Sequence, residues 1–199
     1  MSPDPSATAH TAVVPTSPVR LYLFGAAGSG TSTLGQAIAA STGWLHLDAD
    51  DFYWKPTPQP YTEKYPPAAR VAAMQARMQG QANWVISGGS LYDWGAPLLP
   101  HISHAVFLRL DDALRMARLH ARETARFGDA LVNDPVRHQV SQAFFAWAAG
   151  YETGGDDGAR SLQRHQRFLQ ELHCPVLQLD SAAPVGALQD AVLGFVRQP

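Results

Sequence analysis

The sequence predicts a single α/β domain, and three observations lead to that fold class. The chain has 199 residues, which suits one domain with a sizeable core and is too short for two ordinary ones. Short apolar, β-prone runs alternate with segments whose apolar residues recur at helical spacing. The first such pair is joined by a glycine-rich loop, which gives the order strand, loop, helix.

The glycine-rich loop reads GAAGSGTST over residues 25–33, after a predicted strand at 19–24 and before a helical pattern. In such a loop, consecutive backbone N–H groups turn towards an anion, and the following helix points its positive end at it. Gly25, Gly28 and Gly30 provide the conformational freedom that this requires. The loop therefore predicts a phosphate-binding site, with a plain strand-to-helix connection as the alternative.

The spacing within the loop is that of a Walker A motif, G-x-x-x-x-G-K-[ST], with one departure. Thr31 occupies the lysine position, and Ser32 occupies the position whose hydroxyl coordinates magnesium. Ser29 and Thr33 complete the predicted nucleotide-binding loop. Because the lysine of this motif contacts the β- and γ-phosphates, its absence removes one fixed cation from the predicted site.

An acidic run follows the next predicted strand, which covers residues 44–48 after a helix stop at Gly43. The carboxyl end of a strand in an open parallel sheet lies at the ligand-binding edge. Asp48 is the candidate for magnesium and acceptor binding, and Asp50 is the candidate to accept a proton from a substrate hydroxyl. The alternative interpretation is a helix N-cap or a turn.

The middle of the chain predicts a flap and a second glycine edge. Residues 55–67 are rich in proline and aromatic residues, which is typical of a substrate-binding insertion, and a helical pattern covers 68–80. A third strand at 83–86 runs into Gly88 and Gly89, where a ligand can approach the backbone closely. A tight turn is the alternative for the two glycines.

A fourth strand at 104–110 leads to a helix at 112–127 with Asp111 as its N-cap. Its arginines fall on one face, and Ala113, Met116, Ala117, Ala121 and Phe127 cluster on the other. Such an arginine face fits a phosphate clamp, and a solvated helix face is the competing interpretation. The arginines of this face are Arg115, Arg118, Arg122 and Arg126.

Two further helical patterns, at 136–147 and about 159–172, are separated by glycine-rich breaks and predict a lid over residues 112–172. The first contains an apolar stripe of Val136, Val140, Ala143, Phe144 and Trp147. Arg137, Arg160 and Arg164 are additional candidates for the clamp, among which the pattern does not choose. A fifth strand at 175–179, a loop at 180–183 on the ligand edge and a helix at 184–197 close the chain.

Composition narrows the classes of partner. The net charge is −2 and no basic block is present, so no nucleic-acid or membrane partner is expected. The lone Cys174 agrees with a reducing compartment. Residues 1–18 are rich in Ser, Thr, Ala and Pro and predict a disordered tail, and no segment has the apolar length of a membrane span. The expectation is a cytoplasmic monomer or homodimer.

This order of motifs resembles the P-loop kinase family that includes adenylate, shikimate and nucleoside kinases. Within it, the chain is similar to bacterial adenylate-kinase-like "AAA family ATPase" proteins whose loop reads GSGT[ST]T without lysine. The resemblance covers about residues 19–196. It implies a three-layer αβα P-loop NTPase fold with a parallel five-stranded sheet in the order 2-3-1-4-5, a helical lid, ATP and Mg²⁺ as cofactors, and a small-molecule phosphate acceptor.

The resemblance also assigns residues. The D-x-D of shikimate kinases falls on Asp48 and Asp50, and the D-S-F-Y of uridine kinases begins at Asp50. The glycine motif of shikimate kinases falls on Gly88 and Gly89, with Ser87 where that family has a further glycine. The lid arginines of the family fall on Arg118, Arg122 and Arg126.

Three functions remain open at this stage. The first is a kinase that transfers the γ-phosphate of ATP to a nucleotide, a nucleoside or a metabolite, with the lid arginines replacing the missing lysine. The second is a nucleotide-binding regulator whose Walker A motif is degenerate. The third, an ATPase, needs a water-positioning group that the sequence does not identify. The departure at Thr31 concerns catalysis more than nucleotide binding, and the choice between ATP and GTP rests on the resemblance alone.

Overall fold

A computed structural model describes residues 17–58, 60–155 and 160–198. The predicted N-terminal tail, apart from Ser17 and Pro18, lies outside the described residues. So do the last three residues of the predicted glycine-rich acidic break at 151–158 and the first residue of the helix that follows it, which together form the gap at 156–159.

The five predicted strands form one parallel sheet in the order β2-β3-β1-β4-β5, which confirms the predicted fold. Each observed strand begins within a residue or two of its predicted start. The strands are β1 (Arg20–Gly25), β2 (Leu45–Asp48), β3 (Trp84–Ser87), β4 (His104–Arg109) and β5 (Val176–Asp180).

Helices connect the strands and cover both faces of the sheet. Between β1 and β4 lie α1 (Thr31–Thr42), α2 (Ala49–Tyr53), α3 (Pro67–Met78), α4 (Leu91–Trp94) and a 3₁₀ turn at Leu99–His101. After β4 come α5 (Asp112–Phe127), α6 (Ala130–Asn133), α7 (Pro135–Ala149), α8 (Leu162–Glu171) and α9 (Val185–Phe195). The predicted stop of α1 is confirmed, because Gly43 adopts a φ of 75° and its N–H donates to the Ala39 carbonyl.

The sheet separates two apolar clusters, and β1 contributes to both because alternate side chains of a strand point to opposite faces. Tyr22 and Phe24 face α3 and α8, where Phe24 stacks on Phe107 with ring centroids 5.0 Å apart. Leu21 and Leu23 face α1 and α9. Because β1 is the central strand and is packed on both faces, the glycine loop that follows it is held at the carboxyl end of the middle of the sheet.

Helix α5 buries one residue of its predicted arginine face and exposes its alanines. Arg115, Leu119 and Glu123 are its buried residues, whereas the alanines at 113, 117 and 121 are exposed. The physical reason is the polar surface on which α5 packs. The helix crosses the glycine loop, where the Ala27 carbonyl accepts a hydrogen bond from the Arg115 guanidinium, and an alanine side chain has no donor for it. Asp111 is the N-cap as predicted, and its side chain accepts from the Leu114 N–H at 3.2 Å.

Helix α7 also differs from its predicted apolar stripe. Its buried residues are Arg137, Ser141 and Ala148, whereas Val136 is 51% and Trp147 39% exposed. The predicted stripe is therefore not the buried face of α7. In the part of the chain that the structure describes, no helix has both the length and the hydropathy needed to cross a bilayer.

Candidate active site

The glycine loop lies at the carboxyl end of β1 and is closely packed from below. A Cβ on Gly25 would lie 2.5 Å from both the Leu108 carbonyl oxygen and the Ser29 Oγ. Gly28 has a φ of 86°, and a Cβ there would lie 2.9 Å from the Leu119 side chain. The loop therefore requires glycine at both positions for steric reasons.

The N-terminus of α1 carries the predicted phosphate contacts. Gly30 is the N-cap with a φ of 88°, and no side chain caps the first N–H groups of the helix. Uncapped N–H groups at a helix N-terminus are available to an anion. Thr31 is the first helical residue and is half-buried, as is Ser32, whereas Thr33 is exposed. The structure thus brings the seven predicted loop residues together around one helix end.

Asp48 ends β2 and acts as the N-cap of α2, because its Oδ1 accepts from the Asp50 N–H at 3.0 Å. Its neighbour Leu47 packs into the cluster on the α3 face, so His46 and Asp48 face α1. His46 approaches that helix closely, since a Cβ on Gly35 would lie 2.5 Å from the His46 Nε2. Asp48 and Ser32 therefore lie on the same side of the sheet.

This donor set fits a magnesium ion. Mg²⁺ in nucleotide sites is held by one or two protein oxygens, with phosphate oxygens and water completing the coordination. Ser32 supplies a hydroxyl, and the second oxygen of the Asp48 carboxylate is not used by the cap. Among the described residues, no cluster of three or more His, Cys, Asp or Glu side chains forms a metal cage, which excludes that other type of site from this part of the chain.

Asp50 is the second residue of α2, at the carboxyl edge of the sheet, where the glycine loop and the glycine pair after β3 border the cleft. Its side chain is exposed to solvent, and desolvation of the carboxyl raises its pKa. The positive charge of Arg160 lowers the pKa, the negative charge of Asp48 raises it, and Arg122 lowers it less. Within the described residues the Asp50 carboxylate makes no hydrogen bond or ion pair. The charges of Arg160 and Arg122 therefore act on a carboxylate that has no partner in this part of the chain.

The glycine pair after β3 approaches the glycine loop. Gly88 has a φ of 141°, and a Cβ there would lie 2.6 Å from the Ala49 side chain. A Cβ on Gly89 would collide with the Gly25 carbonyl oxygen and would lie 2.9 Å from the Arg160 Cζ. Gly89 therefore leaves the space in which the Arg160 guanidinium and the first residue of the glycine loop meet.

The three predicted catalytic arginines of α5 do not converge on one point. The Nη2 of Arg118 donates to the Ser181 carbonyl at 3.1 Å, next to the loop after β5. Arg122 pairs with the buried Glu123 at 3.2 Å and lies over the Phe144 ring. Arg126 donates to the Tyr61 hydroxyl in the proline-rich insertion. Of the three, Arg122 is the one whose charge acts on Asp50.

Arg115 has a structural position that its place in the arginine face did not indicate. Its side chain is fully buried. It donates to the Ala27 carbonyl of the glycine loop at 3.3 Å and to the Ala148 carbonyl near the end of α7 at 2.9 Å, and it pairs with Asp112. Arg115 therefore ties the glycine loop to the two long helices above it.

A buried histidine supports the glycine pair from α8. The Nε2 of His165 lies 2.8 Å from the Gly89 carbonyl oxygen, and its Nδ1 lies 2.7 Å from the Tyr151 hydroxyl. Because a carbonyl only accepts, Nε2 carries the proton and Nδ1 accepts from tyrosine. Burial lowers the pKa of His165 to about 4, and the Gly89 hydrogen bond opposes that shift only in part.

The proline-rich insertion at 55–67 holds its two lysines in local contacts. Lys55 pairs with Glu63 at 3.1 Å. Lys64 lies over the Tyr53 and Trp54 rings at 5.4 and 5.5 Å. The insertion is thus joined to α5 through Arg126 and Tyr61, while its lysines remain within it.

A cavity of about 560 Å³ lies beside the cleft at the carboxyl ends of β4 and β5. Its wall includes Arg109, Asp111, Glu152 and Asp180, and no residue of the glycine loop. Asp180 belongs to the loop predicted to lie near the nucleotide base. The cavity is therefore adjacent to the Arg118–Ser181 contact and separate from Asp50.

Sequence reasoning did not single out Arg160 or His165. Arg160 was one of three additional arginines among which periodicity could not choose, and a lone histidine in a polar helix carries no local signal. Both positions acquire their meaning from the glycine pair after β3, more than 70 residues away in the chain. Only the packing of α8 across the sheet brings them there.

Comparison with known proteins identified one relative with a long alignment. The chain is 30% identical over 176 residues to "Uncharacterized protein YqaC" of Bacillus subtilis strain 168, an alignment that covers 88% of this chain and 96% of that protein. No protein-family model matches the chain.

Solved structures of P-loop kinases share the fold. A shikimate kinase from Acinetobacter baumannii in complex with shikimate superposes with a TM-score of 0.53 at 15% identity, covering 91% of this chain and 93% of that chain. A gluconokinase from Sinorhizobium meliloti 1021 gives a TM-score of 0.50 at 18% identity, with 90% and 91% covered. A shikimate kinase from Aquifex aeolicus gives 0.50 at 13% identity, with 89% and 96% covered. At these identities, the likeness concerns the P-loop kinase fold alone.

Proposed function

The chain belongs to the family of the Bacillus subtilis protein YqaC, and we propose that it is a magnesium-dependent phosphotransferase that moves the γ-phosphate of ATP to a hydroxyl group of a small molecule. The observation that carries this proposal is Asp50, a carboxylate that has no partner among the described residues, lies at the start of α2 beside the glycine pair after β3, and is acted on by the charges of Arg160 and Arg122. Phosphoryl transfer requires mainly positioning and charge neutralisation, and this arrangement supplies both.

In the proposed reaction, the acceptor hydroxyl oxygen attacks the γ-phosphorus in line with the bond to the β,γ-bridging oxygen. The new P–O bond forms as the bridging P–O bond breaks, and ADP leaves with the electron pair. Asp50 takes the hydroxyl proton and later returns it to solvent. Its raised pKa makes it a stronger base than an ordinary aspartate.

The glycine loop and the end of β2 supply binding in this proposal. The backbone of residues 28–33 and the N-terminus of α1 hold the β-phosphate, and Gly88 and Gly89 let the acceptor approach the γ-phosphate. Ser32 and Asp48 hold the magnesium ion, which when bound neutralises charge on the β- and γ-phosphate oxygens. In this proposal the adenine ring of ATP lies near Arg118 and the loop at 180–183.

The lid in this proposal is narrower than the predicted span of 112–172. The start of α5 packs against Gly28, and Arg115 holds the end of α7 at Ala148. Helix α5 ends at Gly128, which has a φ of 50° and open space around its Cα. We place the moving cover between these fixed points, in α6 and most of α7.

Acceptor-dependent formation of ADP tests the proposed reaction. ADP is measured with a coupled assay in the presence of ATP and Mg²⁺, against a panel of sugars, sugar acids, nucleosides and nucleoside monophosphates. We expect one class to raise ADP formation well above the rate in water. An equal rate with every acceptor and with none would indicate the ATPase alternative instead.

Asp51 offers a matched control for Asp50. It is the adjacent carboxylate and is exposed, and the charges that act on it come from Asp48, His46 and Arg77 rather than from Arg160. We expect Asp50→Asn to lower kcat by roughly 10²–10⁴-fold with ATP affinity retained, and Asp51→Asn to leave kcat near that of the wild type. Equal effects of the two substitutions would contradict the proposed role of Asp50.

The alternative is a nucleotide-binding regulator without catalysis, and Thr31 at the lysine position is the observation that favours it. Calorimetric titration of ATP with and without Mg²⁺ separates the two. Metal-dependent binding that Ser32→Ala abolishes supports a working nucleotide site. Binding that appears only after Thr31→Lys would indicate that the loop has lost its function.

A further inference from the structure

The phosphate loop lacks its usual cation, and no lysine of the chain is in a position to replace it. The only lysines in the sequence are Lys55 and Lys64. Lys55 forms an ion pair with Glu63, and Lys64 lies over the Tyr53 and Trp54 rings at the end of α2. A replacement charge at the γ-phosphate must therefore come from an arginine.

The arginines of α5 are largely engaged elsewhere. Arg115 is buried against two backbone carbonyls, Arg118 donates to the Ser181 carbonyl, and Arg126 donates to Tyr61. Arg122 faces Asp50, but the buried carboxylate of Glu123 pairs with its guanidinium at 3.2 Å and neutralises it locally. Each arginine of α5 thus already has a partner among the described residues, which leaves the middle of the cleft to another arginine.

Arg160 occupies that middle position. A Cβ on Gly89 would lie 2.9 Å from both Cζ and Nε of Arg160, and the same Cβ would collide with the Gly25 carbonyl oxygen. The guanidinium thus lies beside the first residue of the phosphate loop. Among the charges that act on Asp50, that of Arg160 is the strongest. Arg160 therefore lies between the phosphate loop and the proposed base.

The side chain is held in place but not neutralised by the described residues. The Trp147 ring of α7 lies 5.2 Å from the Arg160 Cζ, a distance typical of a cation–π contact. The Nε atom is buried and has no hydrogen-bond partner, and no described carboxylate forms an ion pair with this guanidinium. A buried donor without a partner costs free energy unless a ligand satisfies it. The aromatic ring fixes the group in the cleft, and its donors remain available.

We propose that Arg160 supplies the charge that the phosphate loop lacks at Thr31, by donating to the γ-phosphate of bound ATP from the side of the acceptor. This inference rests on the proposed function. A guanidinium is planar, keeps its charge at every physiological pH and donates two parallel hydrogen bonds to a phosphate. Arg160 exchanges no proton and forms no covalent bond. It neutralises charge on the γ-phosphate oxygens as the phosphoryl group passes to the acceptor.

Binding of two nucleotides separates this role from a structural one. A group that contacts only the γ-phosphate affects ATP and leaves ADP unchanged. We therefore measure the calorimetric affinity of a non-hydrolysable ATP analogue and of ADP, each with Mg²⁺. We expect Arg160→Ala to weaken the ATP analogue about tenfold or more, and ADP less than about twofold.

A second substitution tests the replacement directly. If Arg160 stands in for the Walker lysine, adding Thr31→Lys to Arg160→Ala returns a cation to the γ-phosphate, and most of the lost affinity for the ATP analogue recovers. Arg197→Ala is the matched control for charge. Arg197 follows α9 near the amino ends of the strands, where Phe195 contacts His104 at the start of β4. The cleft lies at the carboxyl ends, so we expect the loss of Arg197 to leave both affinities unchanged.

The outcomes separate the two proposals. An equal loss for both nucleotides, or a selective loss that Thr31→Lys does not recover, overturns the role of Arg160 while the phosphotransferase proposal stands. Failure of the wild type to bind either nucleotide overturns the proposed function and this inference with it. If thermal unfolding shows that Arg160→Ala is not folded, Arg160→Gln carries the test, because it retains the aliphatic stem against Trp147.

Discussion

The Nε2 atom of His165 lies 2.8 Å from the Gly89 carbonyl oxygen, so a fully buried imidazole fixes the glycine pair at the edge of the cleft. Its other nitrogen accepts from Tyr151, and the Tyr92 and Phe24 rings pack at its sides with centroids 5.5 Å away. The positive charge of Arg160 further disfavours protonation of His165. The ring is therefore neutral in the folded protein.

This neutral histidine predicts a loss of stability in acid. Its pKa falls from 6.5 in the unfolded chain to about 4 in the fold, so the unfolded state binds the extra proton between these values. The contribution is fully present above pH 6.5 and is lost as the pH falls towards 4, by about 3 kcal/mol in total. Urea unfolding at several pH values measures it, with His165→Gln as the reference. Parallel pH profiles for the two proteins would contradict the assignment.

Substitution of Gly25 by alanine should abolish nucleotide binding. The new Cβ would meet the Leu108 carbonyl and the Ser29 hydroxyl at 2.5 Å, so the loop must shift. Gly194 in α9 is the matched control, because a Cβ there meets nothing within 4 Å. Gly194→Ala should retain binding and raise the free energy of unfolding by about 0.5–1 kcal/mol. Calorimetry and thermal unfolding check the pair, and normal binding by Gly25→Ala would count against a rigid loop.

The pH dependence of kcat should report on Asp50. A base acts when deprotonated, so kcat rises with pH through the pKa of Asp50, which desolvation raises above the ordinary value of 3.8. Because the charge of Arg160 lowers this pKa, Arg160→Gln should move the acid limb of the profile to higher pH. The profile is measured on the residual activity of the variant, and an unshifted limb would mean that Arg160 does not act on Asp50.

Two substitutions of Asp48 should separate its role as a helix cap from its proposed role in magnesium binding. Its carboxylate caps α2 through the Asp50 N–H, and asparagine can do the same. Asp48→Asn should therefore keep the stability of the protein but require more Mg²⁺ for ATP binding, because a formal charge is lost. Asp48→Ala should additionally lower the free energy of unfolding by about 1 kcal/mol. Unchanged magnesium dependence in Asp48→Asn would restrict this residue to capping.

Loss of Arg115 should destabilise the whole fold. Arg115→Ala removes the side-chain donor to the Ala27 carbonyl and one of the donors to the Ala148 carbonyl, and it opens a cavity under α5. We expect the free energy of unfolding to fall by about 3–5 kcal/mol, measured in urea. Arg126→Ala, which removes an exposed arginine of the same helix, should cost about 1 kcal/mol or less. Similar losses for both would argue against Arg115 as a structural link.

Local patterns were sufficient to predict the strand positions, the glycine loop and the N-cap at Asp111, because each depends on an apolar run of strand length, on glycines at fixed spacing or on one capping residue. The strand order was implied by the resemblance to P-loop kinases, and the structure confirms it. The D-x-D after β2 was also identified from the sequence. Asp48 caps α2, as the alternative interpretation predicted, and it faces α1. Strong local signals and their structural outcome agree here.

The inward face of α5 could not be predicted in the same way. A hydrophobic pattern indicates which side of a helix is apolar, not what the helix covers. Helix α5 covers backbone carbonyls, so Arg115 is buried and the alanines face water. The position of Arg160 depends on Gly89, which is distant in the chain. Packing of a helix on a polar surface, and contacts between residues far apart in the chain, do not produce a regular spacing of apolar residues in the sequence.

The link from Arg115 to Ala148 limits how the cleft can open. Helix α5 rests on the phosphate loop at Gly28, and the end of α7 is fastened to the same arginine. The segment between them is therefore held at both ends. Under the proposed function, we expect ligand exchange to need only local bending of this segment, without movement of the sheet or of the phosphate loop.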